Sequence, residues 1–217
     1  MAERTKHGFF GPMKTVDTAR ANVEELADGR LRATIVHETM KGVTPAMLRW
    51  WFENIHTFTT WNRADFDGPE VPVYRLWHPW DHIRVRWLRE VRSADGRLAP
   101  GSVIWIEENI LARHEIRQRA YVTRFDDHAF NFELLIAGGL RIGVLDHEYE
   151  AVPGGSSFLT RMTVGPQLPG IGPLLRRALR ARGIDRLARD WIVHNVEESG
   201  ETEKFVPVLY EHAMRVT

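Results

Sequence analysis

The residues best suited to chemistry in this sequence are histidines and carboxylates grouped at three places along the chain. The first group is His194 and Glu198, four residues apart in a segment with a helical pattern. Residues at this spacing share one face of a helix, so both side chains can reach a common centre, as two ligands of one metal ion must. The alternative is an exposed pair that stabilises the helix by about a few tenths of a kcal/mol.

The second group is the segment His78-Pro79-Trp80-Asp81-His82. Histidine and aspartate are good metal ligands, but the proline argues against a continuous helix, so we expect only one of the two histidines to face an interior site. The alternative is a turn in which Asp81 caps the following amides and both histidines are solvated.

The third group is Glu107 and Glu108, which follow the apolar run Val103-Ile104-Trp105-Ile106. In a strand, successive side chains point to opposite faces, and a buried carboxylate without a partner costs several kcal/mol. One of the two should therefore meet a cation. A metal ion would serve, and the alternative is a cross-strand arginine, Arg117 or Arg119.

The composition narrows the chemistry. The sequence has no cysteine, which excludes disulfides, thiolate metal sites and a cysteine nucleophile, so any metal must be held by histidine and carboxylate. These ligands suit zinc, iron, manganese and nickel alike. No Gly-x-Ser-x-Gly or His-Glu-x-x-His motif occurs, so a serine-type hydrolase is unsupported.

The balance of charge gives no reason to expect a nucleic acid or a membrane as partner, because Lys plus Arg and Asp plus Glu both total 29. Without a signal-peptide pattern or an apolar stretch of spanning length, we expect a cytoplasmic protein. Eight Trp and ten Phe favour either a bulky core or a pocket for a flat apolar ligand.

These groups need elements that position them. The patterns predict an N-terminal arm over residues 1–30 and a single domain over 31–217. Thr44 and Pro45 predict a helix start, a long helix follows Pro173 to about Ser199, and Gly200 should separate it from a last helical segment, 202–214. The predicted strands are 31–40, 73–77, 83–91, 102–110, 115–124, 129–136, 140–151 and 157–164.

A meander of this kind has one apolar face that must be covered, and only the C-terminal helix is long enough to cover it. We therefore predict an α+β fold in which a curved antiparallel sheet wraps around a long C-terminal helix. A cavity between sheet and helix would then hold the three groups of histidines and carboxylates.

Three segments of the sequence resemble the diacetylphloroglucinol hydrolase and phloretin hydrolase family. They are Trp50-Trp51-Phe52, the run Tyr74-Arg75-Leu76-Trp77-His78-Pro79-Trp80-Asp81-His82 and the helical His194-Asn195-Val196-Glu197-Glu198, and the resemblance covers about residues 46–210. It implies a Bet v 1-like helix-grip fold and a zinc-dependent hydrolase that cleaves the carbon–carbon bond between an acyl group and a phenolic, phloroglucinol-like ring. The implied partner is a small aromatic ketone, and the implied role is the degradation of aromatic compounds.

The resemblance also implies roles for individual residues. It gives Zn²⁺ the ligands His82, Glu108, His194 and Glu198, with Glu107 and His78 as substitutes because the register is open. It makes Tyr74 and His147 the residues that orient the phenol and move a proton, and it places Trp51, Trp77, His78 and Met162 around the substrate. Met162 departs from the family, which is expected to have an aromatic residue there.

Two other functions remain open from the sequence. One is a non-enzymatic carrier of a hydrophobic ligand with the same fold, which predicts no tightly bound metal. The other is a metal-dependent cyclase, lyase or esterase of the same fold. A homodimer is one option for the assembly.

Overall fold

The computed structural model describes residues 6–136, 139–168 and 170–216. Its helices are α1 (Pro45–Asn54), α2 (Val73–Trp77), α3 (Gly172–Ala181) and α4 (Ile184–Val216). Its strands are β1 (His7–Gly8), β2 (Gly11–Pro12), β3 (Arg20–Glu25), β4 (Leu31–Val36), β5 (Met40–Lys41), β6 (Phe58–Thr60), β7 (Glu70–Pro72), β8 (His82–Arg89), β9 (Val103–Ile110), β10 (His114–Asp126), β11 (Ala129–Leu135), β12 (Arg141–Val152) and β13 (Gly155–Val164).

The main sheet has nine antiparallel strands in the order β3-β4-β13-β12-β11-β10-β9-β8, with β5 also paired to β13. From β8 to β13 each strand pairs with the next one in the chain, so the predicted meander is confirmed. Hairpins explain this order, because antiparallel neighbours can be joined by short turns.

The long helix α4 covers the apolar face of this sheet, and it contacts β4, β9, α1 and α2. Its buried face includes Trp191, Val196 and Phe205. The curved sheet closed around a C-terminal helix confirms the predicted α+β helix-grip architecture. No helix in the described ranges combines the length and the apolar character needed to cross a membrane.

The segment Val73–Trp77 is a helix, α2, where the sequence predicted a strand. Val73, Leu76 and Trp77 have the spacing of one helical face, and all three are buried. In so short a run, helical spacing and a fully buried strand give nearly the same apolar pattern. The helix ends at His78 because the residue before a proline is driven to extended backbone, and His78 has φ −149° and ψ 96°.

The C-terminal helical region is divided at a different glycine from the one predicted. Gly183, with φ +83°, separates α3 from α4, as expected of a glycine that ends a helix in the left-handed conformation. Gly200 lies inside α4, and a Cβ there would be 2.6 Å from Cγ of Lys14. The glycine at 200 therefore admits the N-terminal segment and does not end the helix.

The N-terminal region is more regular than the predicted arm. Strand β3 pairs along its whole length with β4, so the predicted division at residue 30 separates two strands that the structure joins. Five of the six β3 residues are exposed. An edge strand with no buried face carries no alternating apolar pattern, and for that reason the sequence did not reveal it.

Candidate metal centre

Three elements bring the predicted metal ligands together. His82 is the first residue of β8 and lies directly opposite Glu108 of β9 in the sheet register. His194 and Glu198 lie one turn apart on the face of α4 that is turned to these strands. Both histidines and Glu198 are buried.

The side-chain atoms converge closely enough to share one ion. His82 Nε2 is 3.0 Å from Glu198 Oε2 and 3.8 Å from Glu108 Oε1. His194 Nε2 is 3.5 Å from Glu198 Oε2 and 4.0 Å from Glu108 Oε2. Each histidine thus lies within 4.0 Å of both carboxylates.

These separations fit a tetrahedral metal. Zinc binds histidine nitrogen and carboxylate oxygen at about 2.0–2.2 Å, so tetrahedral ligand atoms lie roughly 3.3–3.6 Å apart. The observed distances fall on both sides of that value. Nε2 of His82 is also buried without a hydrogen bond of good geometry, although Glu198 is near, which is what a nitrogen aimed at an ion would show. The residues therefore fit a two-histidine, two-glutamate metal site.

His82 is oriented by the end of α2. Its Nδ1 lies 2.8 Å from the carbonyl oxygen of Tyr74, which accepts the Nδ1 proton. Carbonyls near a helix C-terminus lack partners inside the helix, so this oxygen is free to accept. The bond fixes the tautomer and leaves the Nε2 lone pair for the metal. The Tyr74 ring also stacks on the imidazole, with 3.8 Å between ring centroids.

His194 is oriented by Asp81. The Nδ1 of His194 is 3.0 Å from Asp81 Oδ2, and the same oxygen accepts the Leu111 backbone N–H at 3.0 Å. Burial would lower the pKa of His194, but Glu198, Asp81 and Glu108 outweigh it and raise the pKa to about 9. A metal ion at Nε2 would therefore displace a proton from this ring.

Glu198 is held by its neighbour on the helix. Asn195 Nδ2 donates to Glu198 Oε1, which leaves Oε2 directed at the two histidines. Asn195 Oδ1 in turn lies 3.2 Å from Nε2 of His37. Burial would raise the pKa of Glu198, but His194 and His82 outweigh it, and the pKa lies below its ordinary value. The carboxylate is thus kept ionised, as a metal ligand must be.

The register of β9 decides which of the two adjacent glutamates faces inward. Glu107 lies on the outer face, where Arg84 donates to it at 2.7 Å and Trp105 Nε1 at 2.6 Å. Glu108 faces the interior, and Oε1 accepts the hydroxyl proton of Tyr74. Arg84 is thus the partner of the outer acid, in place of the predicted Arg117 or Arg119.

His78 and Trp51 do not lie where the resemblance placed them, on the wall of a substrate pocket. His78 Nδ1 accepts the Asp81 backbone N–H, so its Nε2 carries the proton and donates to Glu197 Oε2 at 3.1 Å. Burial lowers its pKa to about 2. His78 also lies near Asp81 and His194 as a second group of ligand type, but these hydrogen bonds already occupy its nitrogens. Trp51 is fully buried behind Trp77, with ring centroids 5.8 Å apart.

Glu108, His194 and Glu198 line a cavity of about 320 Å³, and His82 adjoins it through its contact with Glu198. Trp77 and Met162 line it, as the resemblance implied, and most of its other wall residues are apolar. The polar or charged side chains on its wall are Tyr74, Glu108, Gln118, His147, His194 and Glu198. A pocket of this size with few polar groups is typical of small-ligand sites.

Two of these polar groups are neutral. Burial lowers the pKa of His147 to about 4, and its Nδ1 lies 3.1 Å from the carbonyl oxygen of Phe130, which accepts the Nδ1 proton. Burial, followed by Glu108 and Glu198, raises the pKa of Tyr74 well above its ordinary value. His147 thus presents an Nε2 lone pair and Tyr74 a phenolic hydroxyl.

The residues that sequence reasoning missed are those that hold the ligands. Asp81 was considered as a metal ligand or a turn cap, whereas it contacts His194, 113 residues further along the chain. Asn195 was not considered. It lies three residues before Glu198, a spacing that brings side chains together on a helix, so this contact could have been predicted from the sequence. Glu197 points away from the candidate ligands and contacts His78 and Lys6.

The fold and the site together define a helix-grip protein in which two histidines and two glutamates, all buried except the half-buried Glu108, meet beside an apolar cavity. The sequence matches no family model and no curated protein. Solved structures similar to the chain include the protein Ms6760 from Mycobacterium smegmatis, at 14% identity, 83% coverage of this chain, 96% of that chain and a TM-score of 0.47. A START superfamily protein from Mycobacterium smegmatis is similar at 13% identity, with 77% and 99% coverage and a TM-score of 0.42. Ara h 8.0201 is similar at 11% identity, with 82% and 97% coverage and a TM-score of 0.38.

Proposed function

We propose that this protein is a zinc-dependent hydrolase that cleaves the carbon–carbon bond between an acyl group and a phenolic ring. The observation that carries the proposal is the group formed by His82, Glu108 and His194, which Glu198 joins through its contacts with both histidines. Glu108, His194 and Glu198 of this group also line an apolar cavity. A ligand bound in that cavity would have its reacting group beside the ion. The resemblance of the sequence to phloretin and diacetylphloroglucinol hydrolases supports the choice of substrate.

The reaction needs only water as co-reactant. The oxygen of water forms a bond to the acyl carbon, and the bond between that carbon and the ring carbon breaks. The ring carbon keeps the electron pair and takes up a proton, so the products are a carboxylic acid and the deacylated phenol. A zinc ion at the site supplies Lewis-acid polarisation and lowers the pKa of water.

Two side chains of the cavity could exchange a proton or a hydrogen bond with the substrate. Nε2 of His147 has no hydrogen-bond partner in the described part of the chain and can accept the proton of a substrate hydroxyl. Transfer of that proton to the ring carbon would complete the cleavage. The hydroxyl of Tyr74, which donates to Glu108, can turn to a substrate oxygen instead. The apolar walls keep bulk water from the reacting bond.

The first test is elemental analysis of protein purified without chelator and without an affinity-tag metal. We expect about one zinc per chain. The zinc-loaded protein should then release the carboxylic acid and the deacylated phenol from phloretin or diacetylphloroglucinol, measured by liquid chromatography. Loading with iron, manganese or nickel would establish which ion the site uses, because histidine and carboxylate accept them all.

A carrier of a hydrophobic ligand is the second candidate, and the mostly apolar wall of the cavity favours it. A folded protein that neither contains zinc nor takes it up would contradict the hydrolase and support the carrier. A protein that binds one zinc but leaves both substrates intact would retain the metal site and direct the search to a cyclase, lyase or esterase reaction.

A further inference from the structure

Among the described residues of the cavity wall, Gln118 has a side-chain amide that neither the metal site nor the proposed proton transfers use. It lies on β10, opposite Ile106 of β9. Glu108 pairs with Ile116 in the same ladder, and Ile116 and Gln118 are two residues apart, so Gln118 shares the inner face with Glu108. The side chain is therefore placed to meet a bound ligand.

The hydrogen bonds of Gln118 leave a single function open. Its Nε2 donates to the Arg119 carbonyl oxygen at 2.8 Å and to the Leu135 carbonyl oxygen at 2.7 Å. Both amide protons are thus used. The side-chain oxygen Oε1 has no hydrogen-bond partner in the described part of the chain, and an amide oxygen can only accept.

The position of Gln118 determines which part of a bound ligand its side chain would contact. Two residues along a strand span about 7 Å, so Gln118 lies roughly one substituted aromatic ring away from the level of Glu108. Ile106 lies opposite Gln118 and Ile116 opposite Glu108, and both line the cavity. A ligand with its ketone beside the metal site would place its remote end at Gln118.

We propose that Gln118 determines specificity by accepting a hydrogen bond from a hydroxyl at the end of the ligand remote from the metal. The orientation of the ligand rests on the proposed function. The ligands selected are aryl ketones with a phenolic hydroxyl opposite the acyl group. An ether at the same place offers no proton and would leave Oε1 desolvated without a partner, which costs affinity.

The test compares the binding of two ligands to the wild type and to two variants, and it does not depend on catalysis. Isothermal titration calorimetry would measure the Kd of para-hydroxyacetophenone and of its methyl ether, para-methoxyacetophenone, for the zinc-loaded wild type, Gln118→Met and Gln118→Glu. One neutral hydrogen bond corresponds to about a fivefold change in Kd. We expect the wild type to prefer the phenol by about that factor and Gln118→Met to lose the preference. Gln118→Glu keeps an acceptor but loses both donors to the backbone carbonyls, so it should retain the preference while it binds both ligands more weakly.

Equal weakening of both ligands by Gln118→Met would show that the side chain only supports the sheet through Leu135, and it would overturn the proposal. An unchanged preference in Gln118→Met would overturn it as well. This comparison separates this proposal from the hydrolase, because a preference that depends on Gln118 can be measured even if neither ketone is cleaved. A wild type that prefers the phenol to the ether but hydrolyses no ketone would contradict the proposed function and leave the role of Gln118 intact.

Discussion

At the scale of single residues, the candidate centre is built from ligands that are each fixed by a second group. His82 is fixed by a backbone carbonyl of α2, and His194 by Asp81. Such partners set the tautomer and the direction of a ligating nitrogen. Their loss typically lowers metal affinity by about tenfold to a hundredfold.

The first prediction concerns the two ligands on α4. His194→Ala and Glu198→Ala should each abolish stoichiometric zinc binding, because each removes one of four converging atoms. Elemental analysis after zinc loading and dialysis would measure the loss, and the far-ultraviolet circular dichroism spectrum should be unchanged. His128→Ala, at an exposed position on the β10–β11 turn, is the matched control and should keep about one zinc. Stoichiometric zinc in both α4 variants would remove these residues from the site.

The second prediction concerns Tyr74. Tyr74→Phe should keep zinc, because the phenol touches the metal site only through Glu108, but should lose about a hundredfold or more in turnover of phenolic ketones. Steady-state rates with phloretin, compared with zinc content, would separate the two effects. Tyr121→Phe, on the outer face of the sheet, is the control. Turnover equal to that of the wild type would exclude Tyr74 from the mechanism.

The sequence predicted the residue types and spacings of the centre, but not the contacts that hold it. The pairing of His194 with Glu198 could be predicted, because helical spacing alone brings their side chains together. The choice between Glu107 and Glu108 could not be made, because either face of β9 could have been the inner one until its register with β8 was known. The role of Asp81 depends on a contact with a residue 113 positions further along the chain, which no local pattern encodes.

At the scale of elements, short segments decide where the chemistry lies. The five-residue helix α2 presents the Tyr74 carbonyl to His82 and the Tyr74 hydroxyl to Glu108. A strand over the same residues, as the sequence predicted, would have engaged that carbonyl in a ladder. Strands β8 to β13 were predictable because turn residues and apolar alternation coincide there, whereas α2 is too short for a period to be recognised.

The third prediction concerns the start of α1, which supports the cavity wall. Thr44 Oγ1 accepts the Met47 backbone N–H at 3.2 Å, and α1 packs Phe52 against Trp77, with 6.0 Å between ring centroids. Thr44→Ala should lower the free energy of unfolding by about 1 kcal/mol through loss of this cap. For a chain of this length the Tm should fall by about 2–4 °C, measured by calorimetry.

Thr44→Ser is the matched control for this cap, because a serine hydroxyl can accept the same hydrogen bond. It should keep the Tm within about 1 °C of the wild type, since only a methyl group at the exposed position 44 is lost. Zinc content should be unchanged in both variants, because α1 carries no ligand. An equal loss of Tm in the two variants would show that the methyl group, and not the cap, stabilises the helix.

At the scale of the whole molecule, the fold brings together two negative charges that one divalent ion would balance. Glu108 and Glu198 bring two carboxylates into an apolar cavity, where an unpaired charge is costly. Without a metal, the positive charge available is a proton on His194, whose pKa is raised to about 9 by Glu198, Asp81 and Glu108 against the opposing effect of burial. A divalent cation would neutralise both carboxylates and leave both histidines neutral. A metal ion would have to displace the His194 proton while it balances the two carboxylates.

The fourth prediction follows from this balance. An ion that binds only the folded chain stabilises it in proportion to the logarithm of its concentration, by about 4 kcal/mol at a free concentration a thousandfold above Kd. For a chain of this length the Tm of chelator-treated protein should then rise by about 8–16 °C on addition of zinc, and the chelator should reverse the rise. The measurement is calorimetry at several free zinc concentrations.

His194→Ala should show no such rise, because one ligand is gone, whereas His128→Ala should behave as the wild type does. A Tm independent of zinc in the wild type would mean that the buried carboxylates are balanced by protons alone, and the site would then belong to a ligand carrier.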